Sequence, residues 1–155
     1  MALLFSEAYP LPQLPAVAQR LLAALPQPGP VAVQGEMGAG KTTLVTALCQ
    51  LLGAQVAATS PTFTLIQEYP APTAPGGRIY HLDLYRLPPE DALPQALDLG
   101  LTEVLDSGAW CFIEWAERIA PLLQEVPHLL ISLEITGPET RKMQAVSYLN
   151  AAHVP

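Results

Sequence analysis

One run constrains this chain more than any other. Gly35-Glu36-Met37-Gly38-Ala39-Gly40-Lys41-Thr42 fits the pattern Gly-x-x-x-x-Gly-Lys-[Ser/Thr] in full. It follows Val31-Ala32-Val33-Gln34, which reads as a short buried strand. It precedes Thr42 to Leu52, where Leu44, Val45, Leu48, Leu51 and Leu52 recur at helical spacing until Gly53 stops the helix. Glycines let a backbone wrap closely around phosphate oxygens with its N–H groups turned inward. The helix N-terminus adds its dipole and free donors. Lys41 is placed to neutralise β- and γ-phosphates, and the Thr42 hydroxyl is a hard oxygen ligand for Mg²⁺. Glu36, Met37, Gly38, Ala39, Gly40, Lys41, Thr42 and Thr43 are therefore the expected phosphate-binding residues.

Proline and glycine punctuate the rest. Ala16 to Leu25 has helical propensity and an apolar face, and Pro26, Pro28, Gly29 and Pro30 end it. Phe63 to Tyr69 and Arg78 to Leu84 read as two paired extended segments around a Pro/Gly-rich loop at 70–77. In the second, Ile79, His81, Asp83 and Tyr85 fall on one face and Tyr80, Leu82 and Leu84 on the other. Pro88-Pro89-Glu90-Asp91 opens a helix with proline and acids in its first turn. Trp110 to Ile113 is a buried strand ending at Glu114, with helical residues following to the Pro121 region. Leu129 to Ile135 is another strand, and Met143 to Leu149 the last. Strands separated by helices predict an α/β, single-domain P-loop NTPase fold over residues 1–155: a mainly parallel sheet flanked by helices, with an antiparallel hairpin portion.

Charge narrows the function. With 7 Lys+Arg against 14 Asp+Glu and a net charge of −7, the chain cannot build a phosphate-tracking surface, so general nucleic-acid binding and an anionic membrane surface are disfavoured. Half of the residues are hydrophobic, yet no run reaches the roughly 18 apolar residues of a membrane span. Met1 to Ser6 lacks a basic residue before its apolar stretch, unlike a secretory signal. Cys49 and Cys111 form neither a metal spacing nor a disulfide framework. A reduced, cytoplasmic protein is expected. His81, His128 and His153 lie far apart and read as solvated or singly packed side chains.

A phosphate loop needs an acid for the metal's shell and a group to orient the attacking water. Glu114, at the carboxyl end of an apolar strand, is the candidate for the first, and Asp83 for the second. Catalysis is thus expected from Lys41, Asp83 and Glu114, and metal ligation from Thr42 and Glu114. The single asparagine, Asn150, excludes an Asn-Lys-x-Asp guanine-reading motif, which leaves ATP as the default nucleotide. Arg20, Arg78, Arg86, Arg118 and Arg141 are scattered, with no arginine-rich lid of the kind a small-molecule kinase needs. A kinase and a non-catalytic, nucleotide-dependent assembly factor both stay open beside a hydrolase.

Together these pieces resemble the TsaE (YjeE) family, small bacterial P-loop ATPases of tRNA threonylcarbamoyladenosine formation. The matching elements, in order, are the loop from Gly35 to Thr43, Ser60-Pro61-Thr62-Phe63-Thr64-Leu65, His81-Leu82-Asp83-Leu84-Tyr85-Arg86-Leu87 and Ile113-Glu114-Trp115. The resemblance runs from about Leu4 to Tyr148. It implies a switch-like segment at Ser60 to Phe63, an acid implicated in hydrolysis at Asp83 and the metal-site acid at Glu114. Trp115 matches an aromatic next to the nucleotide, though it reads equally well as a core tryptophan after a strand. Arg141 matches a basic residue common near the family's C-terminus. Glu36 replaces the more usual aspartate, and Leu14-Pro15-Ala16-Val17 lacks the threonine that members often carry near the adenine. The resemblance further implies Mg-ATP hydrolysis, weak alone and promoted in complex with the partner proteins TsaD and TsaB, with tRNA contacted only through them. Between Glu90 and Glu125 eight acids face one base, Arg118. That stretch reads as a solvated acidic face or, more sharply, as a docking surface for a basic partner.

Overall fold

Strands that are apolar on both sides belong inside a parallel sheet covered on both faces. In the computed structural model, which describes residues 1–55 and 65–148, two such strands, Pro30–Gln34 and Trp110–Glu114, lie side by side at the centre of a seven-stranded sheet. In chain order the elements are β1 (Ala2–Pro10), α1 (Leu14–Ala24), β2 (Pro30–Gln34), α2 (Lys41–Leu51), β3 (Ile66–Pro70), β4 (Arg78–Asp83), α3 (Pro89–Asp98), α4 (Leu101–Leu105), β5 (Trp110–Glu114), α5 (Ala120–Leu123), β6 (Leu129–Gly137) and β7 (Thr140–Ser147). The strand order is β1-β7-β6-β2-β5-β4-β3.

The sheet is mixed, which corrects the expectation of a mainly parallel one. β6, β2, β5 and β4 run parallel, whereas β1 with β7, β7 with β6 and β3 with β4 are antiparallel. The expected β3–β4 hairpin is present, and β3 begins at Ile66. A second antiparallel block at the opposite edge had no counterpart in the sequence reading, which passed over β1 altogether. The segment Ser60 to Phe63 lies outside the described residues, as does His153.

Alternation along each central strand builds two cores. On one face Val31 and Val33 of β2, Ile79 of β4, Trp110 and Phe112 of β5, and Leu129, Ile131 and Leu133 of β6 meet α1 and α2. The helices answer with Val17, Ala18 and Leu21, and with Leu44, Val45, Leu48 and Cys49, each set one apolar stripe at three-and-four spacing. On the other face Ala32, Tyr80, Leu82, Cys111 and Ile113 pack under α3, α4 and the 3₁₀ turn at Ala116–Ile119. Pro89 starts α3 with Glu90 and Asp91 in its first turn, as expected, and Gly100, at φ 96°, ends it and opens α4.

Both cysteines are free and buried. Burial pushes the Cys49 thiol up to about 12 and the Cys111 thiol higher still. Neither forms a thiolate near neutrality, so both should resist an aromatic disulfide reagent at about pH 8 in the folded protein and react together once urea unfolds it. Reaction of one thiol under native conditions would show that its core opens locally.

Candidate functional site

At the carboxyl ends of the three adjacent strands β2, β5 and β4, Val33, Glu114 and Asp83 stand in one row of the register. The glycine-rich loop leaves β2 immediately beyond that row. Gly35 has no room for a side chain, because a Cβ there would lie 2.7 Å from the Leu133 carbonyl oxygen of β6. The loop then turns through Gly38 and Gly40, whose φ values of 85° and 103° favour glycine, and enters α2 at Lys41. Ala39 N–H donates to the Glu36 carbonyl at 3.0 Å, closing the turn. Glu36, Met37 and Gly38 are exposed at its rim, as are Thr42 and Thr43 at the start of α2, while Ala39 and Lys41 are buried. The first N–H groups of α2 have no acceptor within the helix.

Lys41 Nζ donates to the Gly35 carbonyl at 2.6 Å and lies 4.0 Å from the centroid of the Trp115 ring. Thr42 Oγ1 donates to Glu114 Oε1 at 2.8 Å, joining residues that are 72 apart in sequence. Glu114 is only 2% exposed. Its other oxygen, Oε2, lies 2.7 Å from His81 Nε2. His81 is thus neither a solvated nor a merely packed histidine, which corrects the sequence reading. Its alternation with Asp83 on one face of β4 was the available signal. His128 does fit that reading, stacking on Tyr148 with ring centroids 5.1 Å apart. Tyr69 lies at 6.5 Å from the His81 ring, and burial, with Cys49 and Glu114 nearby, pushes its phenol up.

Asp83 shares the row with Glu114, but its Oδ1 accepts the Tyr85 N–H at 3.1 Å in a local turn. Trp115 has a left-handed backbone at φ 60°. Tyr85 packs on its ring at 4.9 Å, and the Arg118 guanidinium lies 5.8 Å from its centroid. Arg118, read from the sequence only as one of the scattered arginines and the lone base of the acidic stretch, also donates to the Leu87 carbonyl. Arg141 reaches the loop from β7 through the Gly38 and Ala39 carbonyls. All of the expected site residues except Asp83, whose side chain turns to Tyr85, are therefore in the loop or in contact with it or its helix.

The arrangement offers an anion a cationic amine and helix-terminal N–H groups, and offers a cation two hard oxygens, from Thr42 and Glu114. Among the described residues no group of three His, Cys, Asp or Glu side chains could hold a metal. That donor set suits only an ion that keeps most of its shell as water and substrate oxygens.

Fold and site together define an α/β protein on a mixed sheet, with a glycine-rich loop and a buried acid at the ends of its parallel strands. The chain belongs to the TsaE family, whose model, described as threonylcarbamoyl adenosine biosynthesis protein TsaE, matches residues 11–143. It is 36% identical to the tRNA threonylcarbamoyladenosine biosynthesis protein TsaE of Bacillus subtilis over 80% of this chain and 73% of that one. The protein of that name from Streptomyces coelicolor is 40% identical over 79% of this chain and 82% of its own. The one from Haemophilus influenzae is 35% identical over 77% and 71%. The crystal structure of Bacillus subtilis YdiB shares the fold, with a TM-score of 0.69 at 24% identity over 97% of this chain and 90% of that one. Among the described residues no helix is long and apolar enough to cross a membrane.

The clearance at Gly35 yields a direct test. Gly35→Ala drives a Cβ against backbone that cannot swing aside, so the urea midpoint should fall by the equivalent of about 1–3 kcal/mol. An unchanged midpoint would mean that β2 and β6 move apart freely at this point.

Proposed function

We propose that this protein binds Mg-ATP across Glu36 to Thr43 and hydrolyses it in support of tRNA threonylcarbamoyladenosine formation, acting with TsaD and TsaB. The observation that carries the reading is the 2.8 Å hydrogen bond between Thr42 and Glu114 beside a buried Lys41. Local sequence has no reason to bring a hydroxyl, a carboxylate and an ammonium together at a glycine-rich helix start, whereas phosphoryl chemistry does.

In this reading Lys41 leaves the Gly35 carbonyl to pair with the β- and γ-phosphates, and the N–H groups at the start of α2 cradle them. Thr42 and Glu114 would hold Mg²⁺, which when bound supplies charge neutralisation of the phosphates. His81 keeps Glu114 turned toward Thr42. Asp83, tied at one oxygen by the Tyr85 N–H, orients or activates the attacking water with the other. Trp115 borders the nucleotide beside Lys41. The family resemblance supports weak hydrolysis alone and faster turnover with TsaB–TsaD. The net charge of −7 favours reaching tRNA through those partners rather than directly, and two buried free thiols suit a reducing cytoplasm.

Phosphate release measured with and without TsaB–TsaD tests the whole reading. Lys41→Ala should lower kcat by about a hundredfold or more, and retained activity would remove the loop from the reaction. Asp83→Ala should keep nucleotide affinity while losing turnover. Loss of binding instead would make Asp83 structural.

A further inference from the structure

Arg141 has no part in the proposed chemistry. It projects from β7 and is 8% exposed, and none of the ion pairs among the described residues includes it. Its partners are all neutral carbonyls. Nη1 donates to Gly137 at 3.0 Å and to Thr140 at 2.8 Å, in the β6–β7 turn. Nε donates to Ala39 and Nη2 to Gly38, each at 3.3 Å, in the glycine-rich loop.

The two loop contacts have a geometric consequence. In a trans peptide the N–H points opposite to the C=O, so carbonyls drawn toward the guanidinium send their N–H groups to the far side. The Ala39 N–H is used within the turn, on the Glu36 carbonyl. The Gly40 N–H, in the peptide whose carbonyl Arg141 takes, therefore points away from the guanidinium. The guanidinium stays charged in any environment, and among the described residues no carboxylate pairs with it.

We infer that Arg141 is a positioning residue that presets the loop for a polyphosphate, by holding the Gly38 and Ala39 carbonyls outward and by setting an unpaired positive charge behind them. The inference rests on the nucleotide reading above and deepens it, assigning part of the phosphate affinity to a residue on an antiparallel strand with no place in the loop motif.

Arg141→Gln, which keeps a hydrogen-bonding side chain but removes the charge, tests it with ADP as the probe. The Kd for ADP by calorimetry should rise about tenfold or more, and the KM for ATP should rise with it, while kcat changes by less than about threefold. The ADP-induced increment in Tm should shrink correspondingly. A residue with a merely structural role would lower the Tm of the nucleotide-free protein and leave that increment intact, a result that overturns the assignment. If Arg141→Gln does not fold, Arg141→Lys serves: it keeps the charge but not the fork that takes the Gly38 and Ala39 carbonyls together, so ADP affinity should fall severalfold, and native affinity in that variant overturns the role given to the carbonyl contacts. Failure of the nucleotide reading itself shows separately, as the absence of any ADP-induced shift in the unaltered protein.

Discussion

A carboxylate that is 2% exposed has to be satisfied from within, and the way Glu114 is satisfied organises this end of the molecule. One oxygen takes the Thr42 hydroxyl from the first turn of α2, and the other faces His81 on β4. Hydrogen bonds to a charged group contribute about 1.5–3 kcal/mol each, and a buried acid left without them costs more. The two contacts therefore bind three separate elements, the start of α2, the end of β5 and the middle of β4, into one arrangement. The entry of the loop into α2 is set from the sheet as well as from its own glycines. A loop with left-handed residues at Gly38 and Gly40 would otherwise have many conformations of similar energy.

Cations are few enough here that their placement is informative. Of seven Lys and Arg residues, Arg20 and Arg78 make exposed, solvent-screened pairs with Glu7 and Glu68 that contribute little. Lys41, Arg118 and Arg141 instead converge on the loop and the residues that follow β4 and β5. Their partners are backbone carbonyls and the Trp115 ring, which leave the positive charge unneutralised. A chain with a net charge of −7 thus places three of its seven cations at one end of the sheet, beside Glu114 and Asp83. Lys41 and Arg141 are buried without an ion pair among the described residues, a costly arrangement that an anionic ligand at that end would offset.

The local part of this design was legible. The run from Gly35 to Thr42, the strand before it and the helix after it depend on spacing and glycine content, which sequence carries directly. Glu114 was legible too, as the acid after an apolar run. What escaped reading depends on partners distant in the chain. β1 carries a mixed pattern with only Tyr9 buried, and it is a strand because β7 pairs with it from Thr140 to Ser147. The antiparallel turn of β6 into β7 did have a local signal, Gly137-Pro138 between two extended runs. A connection that short cannot join parallel strands. His81 was set aside because no second histidine lay near it, whereas its partner is a carboxylate on the next strand. Arg141 meets Ala39 across 102 positions, and no local pattern encodes that.

Trp115 shows how the end of a strand can be turned to the site's use. Continued as a strand, the residue after Glu114 would face the opposite side of the sheet, because successive side chains alternate. At φ 60° and ψ 41° the backbone is left-handed, which costs a bulky residue about 1–3 kcal/mol. The turn places the indole against the Lys41 ammonium, the Tyr85 ring and the Arg118 guanidinium. A cation–π contact contributes about 0.5–2 kcal/mol and an aromatic pair about 0.5–1.5 kcal/mol, so the contacts are of the size needed to hold the strained backbone. The dependence also runs the other way. In the proposed nucleotide reading, drawing Lys41 off the ring toward a phosphate would remove part of what compensates the strain, which couples the backbone just after Glu114 to the loop.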